Sequence, residues 1–276
     1  MDFLDFSSSG RRWRTRLTDR FDLAIALEFD GPQPRFFAAH PASAQPLQVG
    51  RFSGAVTAGA SCNCSMHTLS PHCHGTHTEC VGHVTGDRTV LTEMTPVAPR
   101  LALLATVAPE ALGDSGDTGA ATATATDPVL TRRLLAAVAA AAGDVPWTAL
   151  VIRTLPNGLD KQHRVYTGPC PAPYFTSEAM RWVVERGVGS LVVDLPSLDR
   201  ADDGGELMAH RIYWGLPRLG TDSRQAQRRT ALVTELAYVP DTAPDGVYLL
   251  DLQVPAFVAD AAPSRPVLYP ATELPP

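Results

Sequence analysis

Residues Pro71 to Val84 read Pro-His-Cys-His-Gly-Thr-His-Thr-Glu-Cys-Val-Gly-His-Val and gather four of the chain's eight histidines, two of its five cysteines and one glutamate into fourteen positions. Imidazole, thiolate and carboxylate are the groups that bind divalent transition metals, and burying them without a partner costs several kcal/mol. A shared cation satisfies them together. His77, Glu79 and His83 have the same parity, so an extended chain points all three to one face, whereas a helix scatters them. Gly75, Thr76, Thr78, Val81, Gly82 and Val84 are poor helix formers. The spacing predicts a turn leading into a strand, and the helical His-Glu-x-x-His zinc motif is absent.

Upstream, Phe21 to Phe29 is a compact apolar segment closed by the turn signal Asp30-Gly31-Pro32, which predicts a strand. The loop from Pro32 to Gln48 carries Phe36 and Phe37 in an apolar but irregular setting, fit to wall a pocket or to pack on the core. Downstream, Val97 to Val107 reads as a strand and the small-residue run Gly113 to Thr126 as a mobile loop. Asp127 and Pro128 look like an N-cap and first helical residue, opening a helix through Leu130, Leu134, Leu135, Val138 and Ala142 that Gly143 ends. Ala149 to Leu155 and Ser190 to Leu195 are buried strands by their apolar content. Thr176 to Val188 between them is a helix capped by Thr176. Tyr248 to Pro255 and Pro266 to Tyr269 read as paired strands. This alternation predicts an α/β layer with a mixed sheet in a single domain.

The chain has 276 residues, a formal net charge of -6 and a pI near 5.7. Length permits a substantial core. The acidic balance argues against nucleic-acid and anionic-membrane partners and leaves small molecules or further copies of the chain. Arg11, Arg12, Arg14, Arg16 and Arg20 make residues 1–20 a basic arm, read as solvated or as a contact in a homo-oligomer, ahead of a domain over residues 21–276. An odd cysteine count without a signal peptide predicts free thiols and a cytoplasmic location, and no apolar run approaches the roughly 20 residues of a membrane span.

The run His74-Gly75-Thr76-His77-Thr78-Glu79-Cys80-Val81-Gly82-His83 resembles the signature His-x-Gly-Thr-His-x-Asp-x-Pro-x-His of the cyclase or kynurenine-formamidase-like metal-dependent hydrolases. Phe21-Asp22-Leu23, Arg153-Thr154, Pro173-Tyr174-Phe175 and Val193-Asp194-Leu195-Pro196-Ser197-Leu198-Asp199 are further matches in family order, so the resemblance spans residues 21 to 270. It implies a single α/β domain of the swivelling β/β/α type. It also implies a divalent metal site, one or two ions of zinc or manganese, on His77 and Glu79 with a later His210 and Glu235. His83 stands at the family's catalytic acid/base, and Phe36 and Phe37 near its substrate-facing aromatic.

This chain departs from the signature at three points. Counted without gaps, the first ligand histidine falls on Cys73, so the ligand there is His72, Cys73 or His74; imidazole suits a carboxylate-rich site best, which favours His72. Glu79 replaces the usual aspartate. Cys80-Val81-Gly82 replaces the small-Pro-apolar link. A metal so held lowers the pKa of its water and polarises a carbonyl, and His83 moves the proton. The resemblance thus implies hydrolysis of an amide or cyclic amide, arylformamidase-like. Two other readings remain: a non-catalytic zinc protein whose structural site is closed by Cys62, Cys64, Cys73 and Cys80 with nearby histidines, and a family member that binds a ligand without turnover. Ser197 and Asp199 are candidates for orienting ligand histidines, and Trp182 and Trp214 for the core.

Overall fold

Every residue of Ala149–Thr154 and of Ser190–Val193 is buried, the pattern of strands covered on both faces rather than one. The computed structural model describes residues 2–94, 98–167 and 172–275, and in it these two segments lie at the middle of an eleven-stranded sheet. The strands used below are β1 (Phe3–Ser8), β2 (Arg11–Arg16), β3 (His77–Glu79), β4 (Arg100–Val107), β5 (Ala149–Thr154), β6 (Ser190–Val193), β7 (Leu232–Glu235), β8 (Gly246–Gln253), β9 (Ala261–Pro263) and β10 (Arg265–Glu273). Across the sheet they run β1-β2-β10-β8-β4-β5-β6-β7-β3-β9, and the short strand Phe21–Asp22 also pairs with β10.

The four strands β4 to β7 are parallel, and their crossovers carry helices α1 (Arg132–Ala141), α2 (Ser177–Glu185) and α3 (Met208–Trp214). The remaining ladders are antiparallel, so the sheet is mixed. Alternation divides the core. Leu103, Ala105, Leu150, Ile152, Leu191 and Val193 pack towards the helices with Leu135, Met180, Val183 and Trp214, whereas Ala102, Leu104, Val151 and Val192 pack on the other face with Leu23, Tyr248, Leu250 and Leu268. Both cores share one sheet, which makes a single α/β domain.

Four sequence expectations change. The basic arm is a hairpin of β1 and β2, seated on β10 through Trp13 opposite Glu273 and Thr15 opposite Ala271. Its alternation hides Trp13 and Thr15, while Arg11 reaches Asp144 and Glu273 and Arg14 reaches Asp5. Residues 3–16 are thus part of the sheet rather than a free arm.

Asp127 and Pro128 do not open α1. Pro128–Leu130 is a strand between Glu110–Ala111 and Tyr174–Phe175, Asp127 accepts from Arg200 (2.7 Å) and Tyr174 (3.1 Å), and Thr131 caps the helix instead. The small-residue run folds back on itself through Gly113 N–H to Ala125 O (2.8 Å) and onto α2 through Thr118 N–H to Glu178 (2.7 Å). Only Phe21–Asp22 of the first expected strand is extended in a ladder, because Ile25 N–H donates to the Thr76 hydroxyl (2.9 Å) rather than to a neighbouring strand. Val97, the expected start of β4, and Cys170 lie outside the described residues.

Candidate metal centre

Strand β3 lies between β7 and β9, antiparallel to both, with His77 opposite Glu235 and Glu79 opposite Val233 and Ala261. The pleat sorts its three residues. His77 and Glu79 face one side, and Thr78 faces the other, bonded to Thr234 (2.7 Å) and Ser264 (2.8 Å). Gly75 enters the strand with φ +76, a conformation glycine takes at little cost. Thr76 donates to Leu236 O (2.6 Å) while accepting from Ile25, so the Gly-Thr-His run turns the chain, ties three segments and delivers the imidazole.

His83 arrives differently from the sequence expectation. It stands on a 3-10 turn, Val81–Val84, beyond the strand, and the turn rather than strand parity brings its Nδ1 to 3.7 Å from Glu79 Oε2. Gly82 permits this packing, since a Cβ there would meet Thr89 O at 2.0 Å. His72 stands on another 3-10 turn, Pro71–Cys73, with Nδ1 3.0 Å from Glu79 Oε2 and its ring stacked on that of His83 at 4.2 Å. His74 has both nitrogens engaged by backbone, at Ser70 N–H (3.0 Å) and His40 O (2.7 Å), and points away. Of the three residues offered for the first ligand, His72 reaches the cluster.

From the far half of the chain, α3 contributes His210 and β7 contributes Glu235. Asp199 accepts from the Ala209 and His210 backbone amides (2.6 and 3.2 Å) and from His210 Nδ1 (2.6 Å), so one carboxylate caps the helix and orients the ring. His210 Nε2 then lies 2.9 Å from Glu79 Oε1 and 3.3 Å from Glu235 Oε1. Leu198 N–H donates to Glu235 Oε1 (2.8 Å), and His77 Nε2 sits 3.5 Å from Glu235 Oε2. Ser197 accepts from the Asp199 amide (3.2 Å) and supports the turn. His210 is buried on a core-facing helix, and Trp214 and Trp182 pack in the core as expected.

The donor set fits a divalent cation. His77 Nε2, both oxygens of Glu79 and His210 Nε2 are buried and make no hydrogen bond, although Glu79 stands at ion-pair distance from His210 and His72, and His77 from Glu235. Such groups are costly to bury unless a proton or a metal answers them. Burial works to raise the Glu79 carboxyl, but the attraction of His83 and His210 outweighs it and holds it well below the usual range. The same balance lifts His210 well above an ordinary imidazole, with burial opposing and Glu79 and Asp199 raising it. Three overlapping triads can each hold an ion: His72, His77 and Glu79; Glu79, His83 and His210; and His72, His83 and Asp260.

Asp260 was not apparent from the motif. It is the one charge in Val254 to Ala262, an apolar stretch, and that isolation was its only signal. The cysteines, by contrast, are dispersed: Cys62 and Cys64 are exposed, and buried Cys80 lies against Thr89 O (3.7 Å). Among the described residues no candidate metal cluster includes cysteine, so the four-cysteine zinc reading is corrected. Arg35–Phe36 pairs with Val165–Tyr166 and lies against the turn bearing His72. Phe36 is buried, whereas Phe37 is exposed with its ring 4.0 Å from that of Phe36. No helix among the described residues is long and apolar enough to cross a membrane.

Residues 21–200 match a family model described as "Putative cyclase". Among solved structures, the chain is similar to a "predicted metal-dependent hydrolase" from Bacillus stearothermophilus, at 14% identity and a TM-score of 0.54 over 91% of this chain and 97% of that one. It is also similar to isatin hydrolase A from Labrenzia aggregata bound to benzyl benzoate, at 14% identity and a TM-score of 0.58 over 91% and 93% of the two chains. Isatin hydrolase A from Ralstonia solanacearum aligns at 13% identity and a TM-score of 0.55 over 91% of each chain. At these identities the likeness is one of fold. No curated protein matches by sequence.

Proposed function

This chain belongs to the cyclase family, and from that premise we propose that it is a metal-dependent hydrolase of an amide or cyclic amide, with an arylformamidase-like substrate class. The observation that carries the reading is the convergence of four buried donor atoms without hydrogen bonds, on His77, Glu79 and His210, with His72 and Glu235 beside them. These five residues would hold the metal, one or two ions of zinc or manganese. When bound it supplies Lewis acidity, lowering the pKa of water and polarising a carbonyl.

His83 supplies the proton path. Its side chain is 25% exposed whereas those of His77 and Glu79 are closed to solvent, so it stands at the mouth of the cluster, where substrate arrives. An imidazole there takes one proton from the attacking water and returns it to the departing nitrogen as the C–N bond breaks. The oxygen of water ends on the carbonyl carbon, and the products are a carboxylate and an amine. Phe37, exposed and backed by the buried ring of Phe36 on a loop joined to the His74 turn through His40 O, is the apolar surface against which an aryl ring packs.

Three solved neighbours are named isatin hydrolases, and isatin is a cyclic amide fused to an aromatic ring; that chemistry agrees with the proposed class. The test is an assay of zinc- and manganese-loaded enzyme against N-formylanilines, isatin and aryl lactones, paired with the same protein stripped by chelator. Turnover of a C–N bond that disappears on chelation and returns with metal is expected. Equal rates before and after stripping, or no metal uptake at all, would sink the proposal.

A further inference from the structure

His77, beside Glu235, and His210, beside Glu79 and Glu235, each have the other ring nitrogen fixed by an oxygen. His77 Nδ1 lies 3.1 Å from Gly75 O, and His210 Nδ1 lies 2.6 Å from Asp199 Oδ2, which leaves Nε2 of both rings facing inwards. His72 is reversed. Its Nδ1 faces Glu79, and its Nε2 donates to Asp260 Oδ2 at 2.9 Å. This reversal goes with the departure at Cys73: the imidazole enters one residue early, from a 3-10 turn, and presents the opposite nitrogen.

We propose that Asp260 is a positioning residue for His72, accepting its Nε2–H and so holding Nδ1 free of a proton and aimed at the metal. The inference rests on the reading of the cluster as a metal centre. A ring held by one nitrogen is fixed in tautomer and orientation, and partners of this kind make a measurable difference to metal affinity. Asp260 is itself held by strand register. It precedes Ala261, the partner of Glu79; its carbonyl accepts from Cys80 N–H (3.0 Å), while Ala259 O accepts from Leu91 N–H (2.8 Å).

Asp260 is not placed as a ligand of the inner cluster. It groups with His72 and His83 but not with His77, Glu79 or His210, and its side chain is 42% exposed. The nearest nitrogen of His83 is 3.8 Å from Oδ2, beyond hydrogen-bond reach, so the direct bond is to His72 alone. Asp260 lies in sequence beyond the quoted motif blocks and beyond His210 and Glu235.

The experiment titrates zinc into metal-free wild type, Asp260→Ala and Asp260→Asn against a competing chelator dye, and reads the ring tautomers by long-range proton–nitrogen NMR. Asp260→Ala should weaken zinc binding about 10- to 100-fold without changing the folded spectrum, and His72 should lose its single Nε2–H tautomer. Asp260→Asn should recover part of the affinity, since its carbonyl still accepts the same bond. Unchanged affinity in Asp260→Ala overturns the proposal. Loss of one whole equivalent of zinc with the remaining affinity intact also overturns it, by making Asp260 a direct ligand. If wild type itself binds no zinc, the metal-centre reading falls and takes this inference with it, a failure visible before any variant is compared.

Discussion

His77 and Glu235 stand directly opposite each other across β3 and β7, with Nε2 3.5 Å from Oε2, although more than half of the chain separates them. Because β3 is antiparallel to β7, the first residue of one strand meets the last residue of the other. That end of β7 is also a carboxyl end of the parallel strands, the position at which open α/β sheets place their ligands. The backbone is strained at Leu236 (φ 51), next to Glu235, and at Leu207 (φ 47), at the start of the helix that carries His210. Leu195 O and Asp203 hold these two backbones through bonds of 2.8 and 2.6 Å, so the strain is carried by neighbours outside the cluster.

His77→Ala and Glu79→Ala should each strip the metal. Glu79 touches His72 and His210 with separate oxygens, so its removal separates the two halves of the centre, whereas His77 contributes a fully buried nitrogen that no other residue replaces. Metal analysis after gel filtration checks this. Full retention in both variants would show that the ion, if any, lies elsewhere.

His83→Ala should lower turnover about a hundredfold or more while metal content stays at the wild-type level. The ring stacks on His72 and is partly exposed, a position suited to proton transfer at the mouth of the cluster. A wild-type rate would demote His83 to a structural role. Lost metal together with lost activity would make it a ligand.

Much of this arrangement was legible in the sequence, and the exceptions share a cause. Unbroken apolar runs announce β5 and β6, and the Thr176 cap announces α2, because local composition alone decides them. His77, Glu79, His210 and Glu235, which motif order brought forward, and His72, preferred over Cys73 and His74 on ligand chemistry, come together in one cluster. Asp260 was missed because a lone acid carries no periodicity, and its role depends on a register between strands that sequence does not display. The hairpin of residues 3–16 was hidden by its arginines, although Trp13 and Thr15 alternate with them in the period of a strand. At Asp127 a tertiary ion pair with Arg200 displaced a sound local capping signal.

Acid should reveal a second, remote contribution to stability. Hydrogen bonds from the Ser223 hydroxyl, and after it from Thr85, the Ser223 amide and Thr89, draw the Asp87 carboxyl from its ordinary value down to about 2 against the opposing effect of burial. A depressed folded-state pKa means the stabilisation is present above the unfolded value of 3.8 and is lost as pH falls towards 2. In metal-free protein, the difference in urea midpoint between wild type and Asp87→Asn should therefore be greatest above pH 4 and shrink below it. A constant difference across that window would contradict the assignment.

A large loss of stability should follow from substitution of Lys161. Its ammonium is buried, 2.7 Å from Asp194 and 2.6 Å from Thr154 O, and Asp194 in turn accepts from the Thr154 amide (2.8 Å) and hydroxyl (2.9 Å). Burial pushes the Asp194 carboxyl up, opposed by Lys161, so removal of the cation leaves a carboxyl with hydrogen bonds but no counter-charge. Breaking one side of such a pair costs about 3–5 kcal/mol, whereas replacing both sides by uncharged groups of similar volume costs much less. Lys161→Met should thus lower the denaturation midpoint strongly, and Lys161→Met with Asp194→Asn should recover part of the loss, with a coupling energy that a double-mutant cycle measures. Asp194 closes β6 and starts the turn whose Leu198 amide holds Glu235, so weaker metal binding should accompany the loss of stability in the single variant. Additive effects of the two substitutions would show that the pair does not act as a unit.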